Sequence, residues 1–376
     1  MNSSFQRLMA ETTRLTRTGD LHGATAAIQA ALRGTAAPAG TAESAGSAAS
    51  SHIDVDVIDV EAREVATDDA AEQVRPAATF PPTSAQPKPG AGTYIAGCFT
   101  DSNGTRDYKL YIPPGEVGGD GGGRALPLVV MLHGCTQNPD DFAAGTGMNE
   151  AARERGFYVL YPAQTQKANA SRCWNWFKHN HQQRGRGEPA LLAAMTRDVI
   201  SHHPIDPYRV YVAGLSAGGA MAVILGDAYP ELFAAVGVHS GLPTGSATDV
   251  TSALAAMKVG ATVTTSNANT PPTIVFHGDR DTTVHPANGE RVLAAFQARA
   301  TKPEYECGQL ATGRGYTRRS YRDARDHVVG EHWTVHGAGH AWSGGNASGS
   351  YTDPQGPDAT KEMLRFFLAN PLRRTA

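Results

Sequence analysis

The 376-residue chain has no run of 18 or more apolar residues, which excludes an ordinary membrane-spanning helix. It has little net charge either. Its 33 lysines and arginines against 36 aspartates and glutamates leave −3, so no electrostatic argument points to nucleic acid or an anionic membrane surface as a partner. The first twenty residues, "MNSSFQRLMAETTRLTRTGD", lack the basic start and apolar stretch of a secretory leader. The expected location is therefore the cytoplasm, with secretion by another route left open. Only four cysteines occur, Cys98, Cys135, Cys173 and Cys307, and the missing leader favours free thiols, although three pairings into bridges are open. His179 with His181, and His202 with His203, lack companion ligands at zinc-site spacing, so no metal is expected. The glycine run at 118–124 precedes a strand and not a helix, so it reads as a loop and not a phosphate cradle. No cofactor is expected.

What is present divides into three parts. Residues 1–33 carry Phe5, Leu8, Met9, Leu15, Leu21, Ile28 and Leu32 at helical spacings, with a break at Thr18-Gly19-Asp20. This predicts a helical hairpin, an appendage for oligomerisation or docking, because a lone hairpin cannot bury its apolar face. Residues 34–92 are rich in Ala, Thr, Ser, Pro and Gly and predict a low-complexity linker without stable structure. From residue 93 to 376, short apolar runs alternate with helical patterns. The runs are "YKLYIP", "LPLVVMLHG", "GFYVLYPA", "RVYVAGL", "AAVGVHSG", "PPTIVFHG" and "EHWTVHG", and the helical stretches include 189–202, 217–229 and 285–299. Strands alternating with helices predict an α/β fold with a mainly parallel sheet covered on both faces, its chemistry at the carboxyl ends of the strands.

One such end is Gly214-Leu215-Ser216-Ala217-Gly218, where a strand passes directly into a helix. A serine in this G-x-S-x-G setting is lifted above the sheet by a strained turn, with the helix N-terminus aimed at it. A serine hydroxyl needs a base and an orienting acid, in chain order Ser, acid, His. Asp279 and Asp281 follow one strand, and His336 and His340 follow the last. Asp281 is preferred because Asp279 is placed to hold its own turn. His340 is preferred because it lies in a glycine-rich loop, whereas His336 belongs to the strand end. The oxyanion hole is expected from the backbone N–H groups of Ala217 and Cys135, with His133 structural.

These stretches, together with "SRCWNWF" and "GAGHAWSGG", resemble the polyhydroxybutyrate depolymerase family of esterases, α/β-hydrolases related to feruloyl and acetylxylan esterases. The resemblance spans about residues 94–370 and implies a catalytic set of Ser216, Asp281 and His340. Many relatives have proline where this chain has Ser343, a change expected to alter loop stiffness more than chemistry. The implied activity is serine-dependent hydrolysis of carboxylic esters through an acyl-enzyme, on short hydroxyalkanoate oligomers such as those of 3-hydroxybutyrate, or on small acyl esters. Alternatives are a feruloyl or acetylxylan esterase, a peptidase, and a catalytically silent binding or granule-associated protein. Trp174, Trp176 and Trp342 are expected at the substrate, with a core role for Trp174 and Trp176 equally open. Cys135 and Cys173 follow neighbouring strands and are expected within bridging reach, against the alternative of two packed thiols. Cys98 and Cys307 would remain as the other possible pair.

Overall fold

The computed structural model describes residues 90–115, 125–262, 270–297, 302–311 and 313–373. The expected hairpin over 1–33 and nearly all of the expected linker lie outside the described residues. In chain order the elements are β1 (Thr93–Asp101), β2 (Gly104–Ile112), β3 (Leu126–Leu132), α1 (Pro139–Thr146), α2 (Met148–Arg155), β4 (Tyr158–Pro162), α3 (Gly187–His202), β5 (Ile205–Leu215) and α4 (Ala217–Ala228). They continue with β6 (Ala235–His239), α5 (Val250–Val259), β7 (Thr273–Gly278), α6 (Ala287–Val292), α7 (Ala294–Gln297), β8 (Glu304–Gln309), β9 (Gly315–Arg322), β10 (Val328–Val335), β11 (Trp342–Ser343), β12 (Thr352–Asp353) and α8 (Ala359–Ala369).

The apolar run of β3 shows how the layers arise. Successive side chains of a strand point to opposite faces. Leu128, Val130 and Leu132 accordingly join one core with Met195 and Val199 of α3 and Met221 and Leu225 of α4. Val129 and Met131 join a second core with Phe142 of α1, Met148 of α2 and Phe366 and Phe367 of α8. A strand buried on both faces is apolar at nearly every position: β3 and β4 read so throughout, and β6 and β7 depart from it only at His239, Thr273 and His277.

Ten strands form one sheet in the order β1-β2-β4-β3-β5-β6-β7-β10-β9-β8. From β4 through β10 the neighbours are parallel, and the outer pairs on both sides are antiparallel. All seven expected strands are present. In the described part of the helix expected over 285–299, up to Gln297, there are instead two short ones, α6 and α7, because Leu293 between them leaves helical geometry (φ −95°, ψ 7°). Cys98 and Cys307 are exposed and free. They sit on β1 and β8, the two opposite edges of the sheet, roughly 40 Å apart at the usual strand spacing, so they do not pair.

Candidate active site

At the carboxyl end of β5 the backbone turns abruptly into α4, and Ser216 occupies the corner with φ 57° and ψ −118°. The turn is tight because nothing larger than glycine fits beside it. A Cβ on Gly218 would stand 2.0 Å from the Leu132 carbonyl oxygen, and one on Gly214 would stand 2.3 Å from the Gly218 carbonyl carbon. The elbow therefore lies directly against the end of β3. Its N–H is held by the neighbouring strand: Ser216 N–H donates to the His239 carbonyl at 2.8 Å.

Two aspartates follow β7, and each meets a different histidine. Asp281 is buried, and its Oδ1 accepts from the N–H groups of Thr283 and Val284 at 2.9 and 2.8 Å. Its Oδ2 lies 2.7 Å from His340 Nδ1 and 3.3 Å from His277 Nε2. Burial alone would raise this carboxyl, but the hydrogen bonds from His277 and His340 and from the backbone hold it well below the usual carboxylate range. An ionised Asp281 accepts from His340 Nδ1–H, which leaves His340 Nε2 as the free lone pair. Asp279 instead accepts from the Gly337 N–H at 2.7 Å and pairs with His336 at 3.0 Å, both side chains being exposed. It holds the turn after β10. Among the described residues the Ser216 hydroxyl has no hydrogen bond to His340. The serine and the Asp281–His340 pair are brought to one edge by the adjacent strands β5, β6, β7 and β10.

The loop after β3 carries Cys135, which forms a disulfide with Cys173 in the loop after β4. The expected bridge is thus present, and for these two residues the thiol expectation does not hold. Among the described residues, neither the Cys135 N–H nor the Ala217 N–H donates to another group, so both remain available as donors. The Cys173 loop is anchored from below by Glu188. This buried carboxylate accepts from Asn175 N–H and Nδ2 at 2.7 Å each, and from Gln164 Nε2 at 2.5 Å, with Arg106 at 3.6 Å. His133 is buried, and its Nε2 accepts from Gln164 N–H at 3.1 Å. Burial pushes it down to about 4, so it is a neutral structural group.

For Trp174 and Trp176 the core alternative holds, and Trp342, expected at the substrate, is a core residue as well. Trp174 and Trp342 are essentially without exposure. Trp174 Nε1 donates to the His133 carbonyl at 3.0 Å, and Trp342 Nε1 donates to Thr360 Oγ1 at 3.1 Å. Trp174 and Trp342 thus hold His133 and Thr360 from within the core.

Sequence reasoning missed His239. Its ring is buried, lies against those of Phe276 and Trp342, and is pushed down to about 3 by burial and by His277 and His340 nearby. Its Nε2 accepts from the Ser343 N–H at 2.9 Å while its carbonyl holds the Ser216 N–H, so one residue ties the elbow to the His340 loop. A proline in place of Ser343 would lack that N–H, so the substitution at this position alters a hydrogen bond as well as stiffness. A histidine at the carboxyl end of a buried strand, in "AVGVH", was the available signal.

The strand order, the elbow after β5 and helices on both faces define an α/β-hydrolase. More narrowly, the chain belongs to the Esterase PHB depolymerase family, whose model matches residues 106–302, just over half of it. It is 34% identical over 227 residues to poly(3-hydroxyalkanoate) depolymerase C of Paucimonas lemoignei, covering 57% of this chain and 54% of that protein. It is 30% identical over 318 residues to poly(3-hydroxybutyrate) depolymerase of Ralstonia pickettii, covering 78% of this chain and 64% of that one. The chain thus spans between half and two thirds of the length of these relatives. Among solved structures, the acetyl xylan esterase from Aspergillus awamori shares the fold with a TM-score of 0.56 at 20% identity, over 73% of this chain and 99% of that one.

Proposed function

We propose that the protein hydrolyses carboxylic esters through a serine-bound acyl intermediate, with short hydroxyalkanoate oligomers or small acyl esters as substrates. The observation that carries the reading is the 2.7 Å contact between His340 Nδ1 and the ionised Asp281, set at the same sheet edge as a serine in a strained elbow. In this reading His340 Nε2 takes the Ser216 proton as Oγ attacks the ester carbonyl carbon, and the N–H groups of Cys135 and Ala217 receive the developing oxyanion. His340 then passes the proton to the leaving alcohol, and the acyl group stays on Ser216. Water repeats the sequence, releasing the acid and restoring the serine. Asp281 keeps the imidazole in the Nδ1–H tautomer throughout. The names of the family and of the depolymerases it matches support a hydroxyalkanoate ester as the substrate class.

The test is hydrolysis of p-nitrophenyl butyrate by purified protein. Ser216→Ala is expected to lower kcat by roughly 10³-fold or more with an unchanged melting curve, and His340→Ala by a similar factor, since the two act as a unit. Asp281→Asn should cost more than Asp279→Asn. Full activity in Ser216→Ala would discard the mechanism.

A further inference from the structure

Among the described residues, positive φ outside glycine occurs at Thr136 (68°), Arg172 (51°), Ser216 (57°), Ser240 (50°), Asp326 (68°) and Tyr351 (53°). Asp326 lies in the turn between β9 and β10. The other five adjoin the site. Thr136 follows Cys135, Arg172 precedes Cys173, Ser240 follows His239, and Ser216 is the elbow itself. Tyr351 is the one bulky aromatic among them, and a left-handed backbone is a true outlier for such a residue. Backbone strain of this kind persists where surrounding structure enforces it, and it gathers at functional sites.

The enforcement is visible on both sides of Tyr351. Its carbonyl accepts from the Trp342 N–H at 2.7 Å, two residues beyond His340. The preceding Ser350 is clamped by Asp141, which accepts from its N–H at 2.7 Å and from its Oγ at 2.5 Å, and by Gln137 Nε2, which donates to its carbonyl at 3.1 Å. Held this way, the phenol reaches to 3.3 Å from Thr136 Oγ1, one residue past Cys135, while the residue stays 48% exposed. Tyr351 therefore spans the two loops that carry the proposed base and the proposed oxyanion donor. A half-exposed aromatic in a strained backbone gains only part of what full burial would give it.

The hydroxyl protons can be followed. Thr136 Oγ1 donates to the Cys135 carbonyl at 2.5 Å, so its proton is already committed. The Tyr351 O–H must then be the donor to Thr136 Oγ1, which leaves the phenol oxygen at the open rim with lone pairs only. A group that accepts and does not donate is matched by a hydroxyl on the ligand.

We propose that Tyr351, braced by Thr136, is a specificity residue that selects esters carrying a free hydroxyl group near the scissile bond. This rests on the hydrolase reading above and adds the group that recognises the substrate.

The test compares ethyl 3-hydroxybutyrate with ethyl butyrate, which differ by that hydroxyl alone, by pH-stat with purified full-length protein. In Tyr351→Phe the ratio of kcat/KM for the hydroxylated over the plain ester is expected to fall about fivefold, the worth of one neutral hydrogen bond. Tyr351→Asn removes the phenol but suits a left-handed backbone, so its ratio should fall as far while its melting temperature stays at or above that of the unmodified protein. A ratio within twofold of the unmodified value in Tyr351→Phe would overturn the inference and leave the hydrolase reading intact. Hydrolysis of neither ester by the unmodified protein, with p-nitrophenyl butyrate also untouched, would remove both.

Discussion

At Gly218 one methyl group has a long reach. The Cβ of an alanine there would press on the Leu132 and His133 carbonyl oxygens, which are backbone and cannot step aside. Either the elbow or the loop bearing Cys135 must move, and a displacement of about 1 Å in an active site costs on the order of 10²-fold in rate. Gly218→Ala is expected to lower kcat for p-nitrophenyl butyrate by about that factor and stability by about 1–3 kcal/mol, as overpacking does. Gly339 is the control, since a Cβ there meets nothing within 4 Å. Gly339→Ala should change stability by no more than about 0.5 kcal/mol in a urea melt. The sequence marks Gly218 as part of the elbow motif, but how closely it is enclosed is decided by carbonyl groups some eighty residues upstream. The tryptophans teach the same lesson, because "CWNWF" reads equally well as a surface wall and as core until Trp174 is seen donating to the His133 carbonyl.

At the scale of elements, the loop after β4 is held twice, to the loop after β3 by the Cys135–Cys173 disulfide and to α3 by the Glu188 network beneath Asn175. The second anchor predicts how the first will fail. When the disulfide is reduced, or in Cys173→Ser, Glu188 should keep the loop folded, so the melting temperature is expected to fall by only a few degrees. The position of the Cys135 N–H should loosen more, and kcat should fall about tenfold. A parallel measurement of the melting curve and ester turnover with and without reductant decides this, and a large melting shift at constant kcat would reverse the assignment. Legibility at this scale followed burial. β3 and β4 announce themselves as unbroken apolar runs because both faces are covered, and β6 and β7 nearly so, interrupted only by His239, Thr273 and His277. β8 and β9 read as nothing in particular, "EYECGQ" and "GYTRRSYR", because β8 is mostly exposed and the pair is held by cross-strand ion pairs such as Arg322 with Glu304 and Arg318 with Glu306.

For the molecule as a whole, three buried histidines set the response to acid. Burial holds His133 at about 4 and His239 and His332 at about 3, far below the ~6.5 of an unfolded chain. Between those limits the unfolded state binds more protons than the folded one, so stability is full above about pH 6.5 and falls as pH drops toward 4. Each histidine contributes on the order of 2 kcal/mol of loss by pH 5. Asp281, held below the usual carboxylate range, adds its own loss only beneath about pH 4. Melting temperature is therefore expected to be level between pH 7 and 8 and to drop steeply from 6.5 to 4.5. His332→Gln should make that drop shallower, and a melting temperature constant down to pH 4.5 would contradict the burial of these rings in the neutral form.

The sequence by itself determined where strands and helices alternate, that a serine sits at a strand-to-helix corner, and that two aspartates and two histidines follow later strands in the order such chemistry uses. Those features are written in local periodicity and turn composition, which depend on neighbours along the chain. Tertiary structure alone decided that Asp281 meets His340 and His277 while Asp279 meets His336, that His239 links the elbow to the His340 loop, and that Trp342 faces inward while Tyr351 faces out. The physical reason is the strand order: β5, β6, β7 and β10 are separated by long crossovers in sequence yet lie about 4.8 Å apart in the sheet, so the groups at their ends are chosen by hydrogen-bonding partners that no local pattern encodes.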